Sequence, residues 1–322
     1  MYDNDCKNTE KTKEDDYLFY LRAKRPGCNE IEELLQKVLN SGDLEYVYLF
    51  ARDVKGADIE KCAQFIINSK NPYWNYRFAK DIPEANVKEH GKVVFESTDP
   101  EFNYKYARDI PGIDIKDYEQ VVLDSKNPHW NYEFAKDVKG ADILEHGKVI
   151  IDSGDLDYNI DYARYIKGAD IQGHGKSVIK KGTAQQNYLF AFHLGADIEA
   201  HGKAIHARKN PAYCYYFARY LATDISMFEK VVFDSEDPRW NYEFAKNVKG
   251  ADKERHERIV LDSGDPKWNY YYAKNIPGAD VEAHDRVIHN CSEPSDYIGF
   301  FDYWYSNEYQ RSDEQKKYIY KK

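Results

Sequence analysis

Residues 127 to 138, Asn-Pro-His-Trp-Asn-Tyr-Glu-Phe-Ala-Lys-Asp-Val, carry apolar side chains at Trp130, Phe134, Ala135 and Val138, a spacing that lines one face of a short helix. Trp130, Tyr132 and Phe134 alone would fit the alternation of a strand, but Ala135 and Val138 decide for the helix. Asn127 and Pro128 start it, since the proline's missing N–H costs nothing in a first turn. Lys139-Gly140-Ala141 ends it, and Asp142 is placed to cap a second helix. That helix runs from Ile143 to about Asp152, with Ile143, His146, Val149, Ile150 and Ile151 as its apolar side. Ser153-Gly154-Asp155 closes the pair.

The pattern recurs. NYEFAK at 131–136 returns at 241–246, with NYRFAK at 75–80 and NYKYAR at 103–108. Anchored on its alanine, the phrase stands at Ala51, Ala79, Ala107, Ala135, Ala163, Ala191, Ala218, Ala245 and Ala273, at intervals of 28 residues except for two of 27 ending at Ala218 and Ala245. Ala23 extends the series backward, and Phe301 takes the alanine's place at the far end. The reading is of roughly ten tandem helix-turn-helix repeats over 17–305. One such pair cannot bury its own apolar stripe, so the repeats must stack, and the fold class is an all-α solenoid. At about 10 Å per repeat it would be roughly 100 Å long. Residues 1–16 read as a flexible polar N-terminus, 295–305 as one more first helix rich in aromatics, and 306–322 as a C-terminal capping helix or tail.

Composition narrows the function. A formal net charge of -10, with 32% charged residues, repels nucleic acid and anionic membranes at long range. The five cysteines, Cys6, Cys28, Cys62, Cys214 and Cys291, have no framework spacing and read as free thiols in a reducing compartment. No signal peptide or membrane span is visible, so a soluble, cytoplasmic monomer is expected.

The repeats test their own polar residues. His90, His146, His174, His201, His256 and His284 share one position of the second helix, where other repeats have Leu34, Cys62, Tyr118 and Phe228. A position that accepts those side chains is one of packing, with the imidazole tip expected to donate to a neighbouring backbone or carboxylate group. Asp58, Asp114, Asp142, Asp170, Asp197, Asp224, Asp252 and Asp280 alternate with Asn86 and read as helix caps. Ser41, Ser69, Ser97, Ser125, Ser153, Ser235 and Ser263 read as turn residues. Repeat-related histidines about 10 Å apart cannot converge on one zinc ion. No catalytic, cofactor-binding or metal site is predicted, and the chain reads as no enzyme. The row Tyr48, Tyr76, Tyr104, Tyr132, Tyr188, Tyr215, Tyr242 and Tyr270 is either glue between repeats or a half-exposed binding strip. The residues two before the anchor, such as Arg77, Glu133 and Tyr216, vary freely and are candidates for a recognition face.

Between 181 and 228 the grammar breaks. Gly182-Thr183-Ala184-Gln185 replaces the usual start, Gln186 replaces the large aromatic, and two turns are each short by a residue. Tyr216, Tyr220, Arg208, Lys209, His193 and Arg219 gather there, a basic and aromatic patch suited to partner binding, because Tyr and Arg dominate interface hot spots.

The phrase YxFAxxxxGADIxxHxxxI, here Tyr132 to Ile150, resembles the tandem short helical repeats of uncharacterised proteins of large phages and giant viruses. The resemblance implies a viral or mobile-element origin and a role in engaging or blocking a host protein. The function expected is that of a protein-binding scaffold or adaptor. The alternative is a nucleic-acid reader built on the basic row Lys92, Lys148, Lys176, Lys203, Lys230, Arg258 and Arg286, which that net charge disfavours.

Overall fold

The computed structural model describes residues 4–291 and 296–309, apart from the side chains of 4–12 and 308. Among these residues every regular element is helical, and the chain divides into two compact bodies, Met1–Asp170 and Ile171–Lys322.

The first body holds α1 (Asn4–Ala23), α2 (Ile31–Ser41), α3 (Leu44–Asp53), α4 (Ile59–Asn68), α5 (Pro72–Asp81), α6 (Val87–Glu96), α7 (Pro100–Asp109), α8 (Lys116–Asp124), α9 (Pro128–Asp137), α10 (Ile143–Ser153) and α11 (Leu156–Tyr165). The second holds α12 (Ile171–Lys181), α13 (Ala184–Leu194), α14 (Ile198–Ala207), α15 (Pro211–Tyr220), α16 (Ser226–Asp234), α17 (Pro238–Asn247), α18 (Lys253–Asp262), α19 (Pro266–Asn275), α20 (Val281–His289) and α21 (Asp296–Trp304), followed by a π-helical turn, Tyr305–Tyr309. Within each body a first helix packs on the second helix of its own repeat and on the first helix of the next; α5, for instance, meets α6 and α7. Each body is therefore a run of tandem helical repeats in the solenoid manner.

Local chemistry explains the boundaries. Asn127 accepts from the backbone N–H groups of His129 and Trp130 at the start of α9, with Pro128 in the first turn. Gly140, at φ 93, makes the left-handed turn between α9 and α10, a conformation that costs glycine little. The serines close the opposite turn: Ser69 Oγ donates to Ile66 O at 2.6 Å and accepts from Asn71 N at 3.2 Å. Ser97, Ser125, Ser153, Ser235 and Ser263 repeat this pair of bonds. The aromatic before each anchor alanine is fully enclosed, as at Phe78 and Phe134 in the first body and Phe190 and Phe244 in the second.

One end differs from the reading of the sequence. Helix α1 begins at Asn4, well inside the polar stretch 1–16, because once Tyr20 and Ala23 are buried the polar residues before them simply extend the same helix. At the other end α21 buries Phe301 and Trp304 as the expected last first helix. The segment 310–322 lies outside the described residues, and so does most of the expected capping tail.

Candidate functional site

In the phrase NYxFA the asparagine is fully buried at Asn75, Asn103, Asn131, Asn159, Asn187, Asn241 and Asn269. Asn75 Nδ2 donates to Ile66 O at 3.0 Å and to Asn71 O at 2.8 Å, so it ties its helix to the end of the preceding second helix. Two carbonyl partners fix the carboxamide orientation and leave Oδ1 as an acceptor. That acceptor meets the ladder histidine: His90 Nδ1 to Asn75 Oδ1 is 2.8 Å, His146 to Asn131 2.7 Å, His201 to Asn187 2.8 Å, His256 to Asn241 2.8 Å and His284 to Asn269 2.6 Å. The imidazole therefore carries its proton on Nδ1 and presents a bare Nε2. Its partner is a carboxamide, not the backbone or carboxylate group expected from the sequence. Burial pushes the His90, His146, His201 and His284 rings down to about 4 and His256 to about 3, so all five are neutral at pH 7.

Three ladder histidines meet a carboxylate on the other side. Glu119 Oε1 lies 3.3 Å from His146 Nε2, Glu229 from His256 and Glu257 from His284, all without the alignment of a good hydrogen bond. The same oxygens accept the backbone N–H of the helix caps Asp142, Asp252 and Asp280 at 2.6, 2.7 and 2.6 Å. Burial raises all three glutamates from the ordinary carboxyl value. The Asn-His-Glu sequence of groups resembles a catalytic relay in composition. Its Asn–His and Glu–backbone hydrogen bonds, however, hold one repeat to the next, and the ring is closed to solvent.

The tyrosine row divides by body. In the first, Tyr20, Tyr48, Tyr76 and Tyr104 donate to Asp53, Asp81, Asp109 and Asp137 of the following repeat at 2.5–2.6 Å, with Lys24, Arg52, Lys80 and Arg108 on the same hydroxyls. Here the row is glue. Tyr132, in the same body, meets no such acid, because Tyr165 stands at that position, and in the second body the acid is replaced by His193, Tyr220, Asn247 and Asn275.

The six residues picked from the sequence separate accordingly. Arg208 is not free for a partner: its guanidinium donates to Ala204 O at 2.7 Å and Ile179 O at 3.0 Å, capping the ends of α14 and α12. Lys209, at φ 52 in the same turn, lies 3.2 Å from His206 Nε2. Tyr216 is half-buried among Tyr188, Tyr213, Tyr215 and Trp240. His193, Arg219 and Tyr220 stay together on the exposed ends of α13 and α15. Arg219 donates to Tyr215 OH at 2.6 Å and lies 5.0 Å over the Tyr220 ring. Phe192, which the sequence reading passed over, completes the group: it is 47% exposed, meets Tyr220, 50% exposed, edge-on at 6.0 Å, and also contacts His193 and Tyr188. The signal was available, since the residue after the anchor is Lys or Arg in every other repeat from Lys24 to Lys274.

The irregular start of this region is explained too. Gln186 stands where an aromatic would be because it forms a capping box with Thr183. In the basic row, Lys92, Lys203 and Lys230 pair with Glu96, Glu199 and Asp234 on their own helices.

Among the described residues no cluster of three potential ligands is placed to hold a metal ion, and no helix is long and apolar enough to cross a membrane. The thiols of Cys62 and Cys214 are buried and pushed up to about 12, where they are poor nucleophiles. Comparison with known protein families, curated proteins and solved structures finds no match.

Proposed function

We propose that the chain is a non-enzymatic protein-binding scaffold whose second body engages its partner through Phe192, His193, Arg219 and Tyr220, the partner being a host protein on the reading that the repeat phrase suggests. The observation that supports this is the exposed pair Phe192 and Tyr220 with a guanidinium laid over the tyrosine ring; Arg164 and Tyr165 repeat the cation and ring in the first body, but Phe192 stands where every sister repeat from Lys24 to Lys274 has Lys or Arg. Half-exposed aromatic rings flanked by arginine are the composition of interface hot spots, and they cost water contact in the free protein. Arg208 and Lys209 drop out of the proposed surface, because their groups serve the turn after α14.

The nucleic-acid reading loses support where the basic row is neutralised by acids one turn away. Affinity capture from lysate, with and without nuclease, separates the two. A protein retained after nuclease treatment, and lost when Phe192, His193 and Tyr220 take the residues of sister repeats, is the expected result. Retention that depends on intact nucleic acid would overturn the proposal.

A further inference from the structure

The second body contains a place where the repeat's own glutamate is missing. The position that supplies Glu119, Glu229 and Glu257 is Gly175 in α12, as it is glycine at Gly91, Gly147 and Gly202, and here it faces His201 of α14. A Cβ built on Gly175 would lie 3.6 Å from His201 Nε2 and closer still, 3.0 Å, to the Phe190 ring, so a group placed there faces the ring tip and requires Phe190 to shift. His201 is fully buried, its Nδ1–H is held by Asn187, and no described group partners its Nε2. His201 borders a cavity of about 390 Å³ lined also by Ile171, Gln172, Gly175, Lys176, Ile179, Ala196 and Asp197, from which its Nε2 is screened in this conformation. Asp197 is the cap whose counterparts Asp142, Asp252 and Asp280 give their backbone N–H to the glutamate. It also stands in the left-handed region at φ 39, unlike those three.

We propose that this cavity is a binding site for a short aliphatic monocarboxylic acid, whose carboxyl group occupies the place a glutamate carboxyl holds in the sister repeats. Ile171, Ile179 and Ala196 offer the acid's tail an apolar wall, and a volume of this size suits a small ligand. An untethered carboxyl can align on Nε2 better than the 3.3 Å contacts that the tethered glutamates reach.

The proton follows from the tautomer. Nε2 is an acceptor, so the group that meets it must bring a hydrogen, and the ligand binds as the neutral acid, donating its O–H to Nε2. A carboxylate in solution takes up one proton on entering. The charged groups on the cavity wall are Asp197, which opposes an anion, and Lys176. Glu199 and Lys203, further along α14, pair with each other.

Calorimetric titration of the full chain with sodium butyrate at pH 5, 6 and 7 tests this, with butyramide as the control. Butyrate should bind, and its affinity should fall about tenfold for each pH unit above about 5, because one proton enters with it. Gly175→Glu should abolish binding by supplying the carboxyl from the chain, next to a Phe190 equivalent to the Phe134 beside Glu119 and His146. A second variant, Asn187→Cys with His201→Phe, copies the Cys214 and Phe228 pair and removes the acceptor; it too should not bind. No heat with butyrate, an affinity indifferent to pH, or equal affinity in both variants would overturn the site. Equal affinity for butyramide would do the same.

Discussion

His90 Nδ1 lies 2.8 Å from Asn75 Oδ1, fully enclosed, and the chain exchanges these two residues together. Where the histidine is absent the asparagine is absent too in every repeat but that of Asn103 and Tyr118, as in Val47 with Cys62 and Cys214 with Phe228. The contact is therefore a matched pair. Asn75→Val strands the imidazole N–H, and His90→Cys strands the carboxamide oxygen; each should cost about 2–3 kcal/mol. The double variant, which copies Val47 and Cys62, should recover most of the loss. Urea denaturation of the four chains gives the coupling, and simple additivity would contradict a matched pair.

One repeat breaks the pairing. Asn103 keeps its carboxamide but faces Tyr118, and its Oδ1 has no partner among the described residues. Tyr118 stacks on Tyr106 at 5.2 Å, and its hydroxyl fills the room left by Gly91. Tyr118→His should give Asn103 its donor. The ring below it is no obstacle, because Tyr272 holds the same position beneath His284. Thermal melts should show a gain of about 1 kcal/mol, whereas a loss would mean that the stacked tyrosines outweigh the hydrogen bond.

The buried histidines make the fold acid-sensitive. Their folded values, about 4 and for His256 about 3, lie below the unfolded value near 6.5. Their contribution is whole above pH 6.5 and is lost as the pH falls toward 4; a ring held one pH unit below its unfolded value contributes about 1.4 kcal/mol. Glu119, Glu229 and Glu257, raised by burial, act in the opposite sense by holding protons that the unfolded chain has released. Five rings against three carboxyls leave the histidines dominant. The melting temperature should drop steeply between pH 6.5 and 4, and a flat profile there would contradict the neutral ladder.

Tyr76 donates to Asp109 at 2.5 Å across one repeat boundary of the first body. The guanidinium of Arg108, then Lys80 and Tyr76, holds Asp109 well below the usual carboxylate range. That depression stabilises the fold above the ordinary carboxyl value and is lost as the pH falls through the folded one. Tyr76→Phe should cost about 1 kcal/mol at pH 7 and raise the Asp109 titration midpoint, read by carbon-detected NMR. An unmoved midpoint would show the hydroxyl to be incidental.

Much of this is legible in the sequence. The 28-residue interval, the Asn-Pro starts and the Gly140-type turns are local signals, and the helices fall where they predict. The histidines read correctly as packing residues, but their partner does not show, because Asn75 and His90 are 15 residues apart and meet only once the two helices pair. Arg208 reads as a recognition residue because sequence shows its charge and not the carbonyls of Ala204 and Ile179 that consume it. Phe192 is legible as an outlier in its column, yet in a row of apolar residues it reads as core until exposure is known. Gly175 says nothing alone; its meaning comes from Glu119, Glu229 and Glu257 in the same column.

The proposed binding function resides where the repeat departs from its grammar. The direct measurement compares partner capture by the wild type, by the triple variant Phe192→Lys, His193→Asp, Tyr220→Asp, and by a control, Leu144→Lys, which removes an exposed apolar side chain from the first body. Thermal melts are run on all three. Three similar melts, with capture lost in the triple variant alone, are expected. A triple variant that melts like the wild type and still captures the partner in full would contradict the proposal.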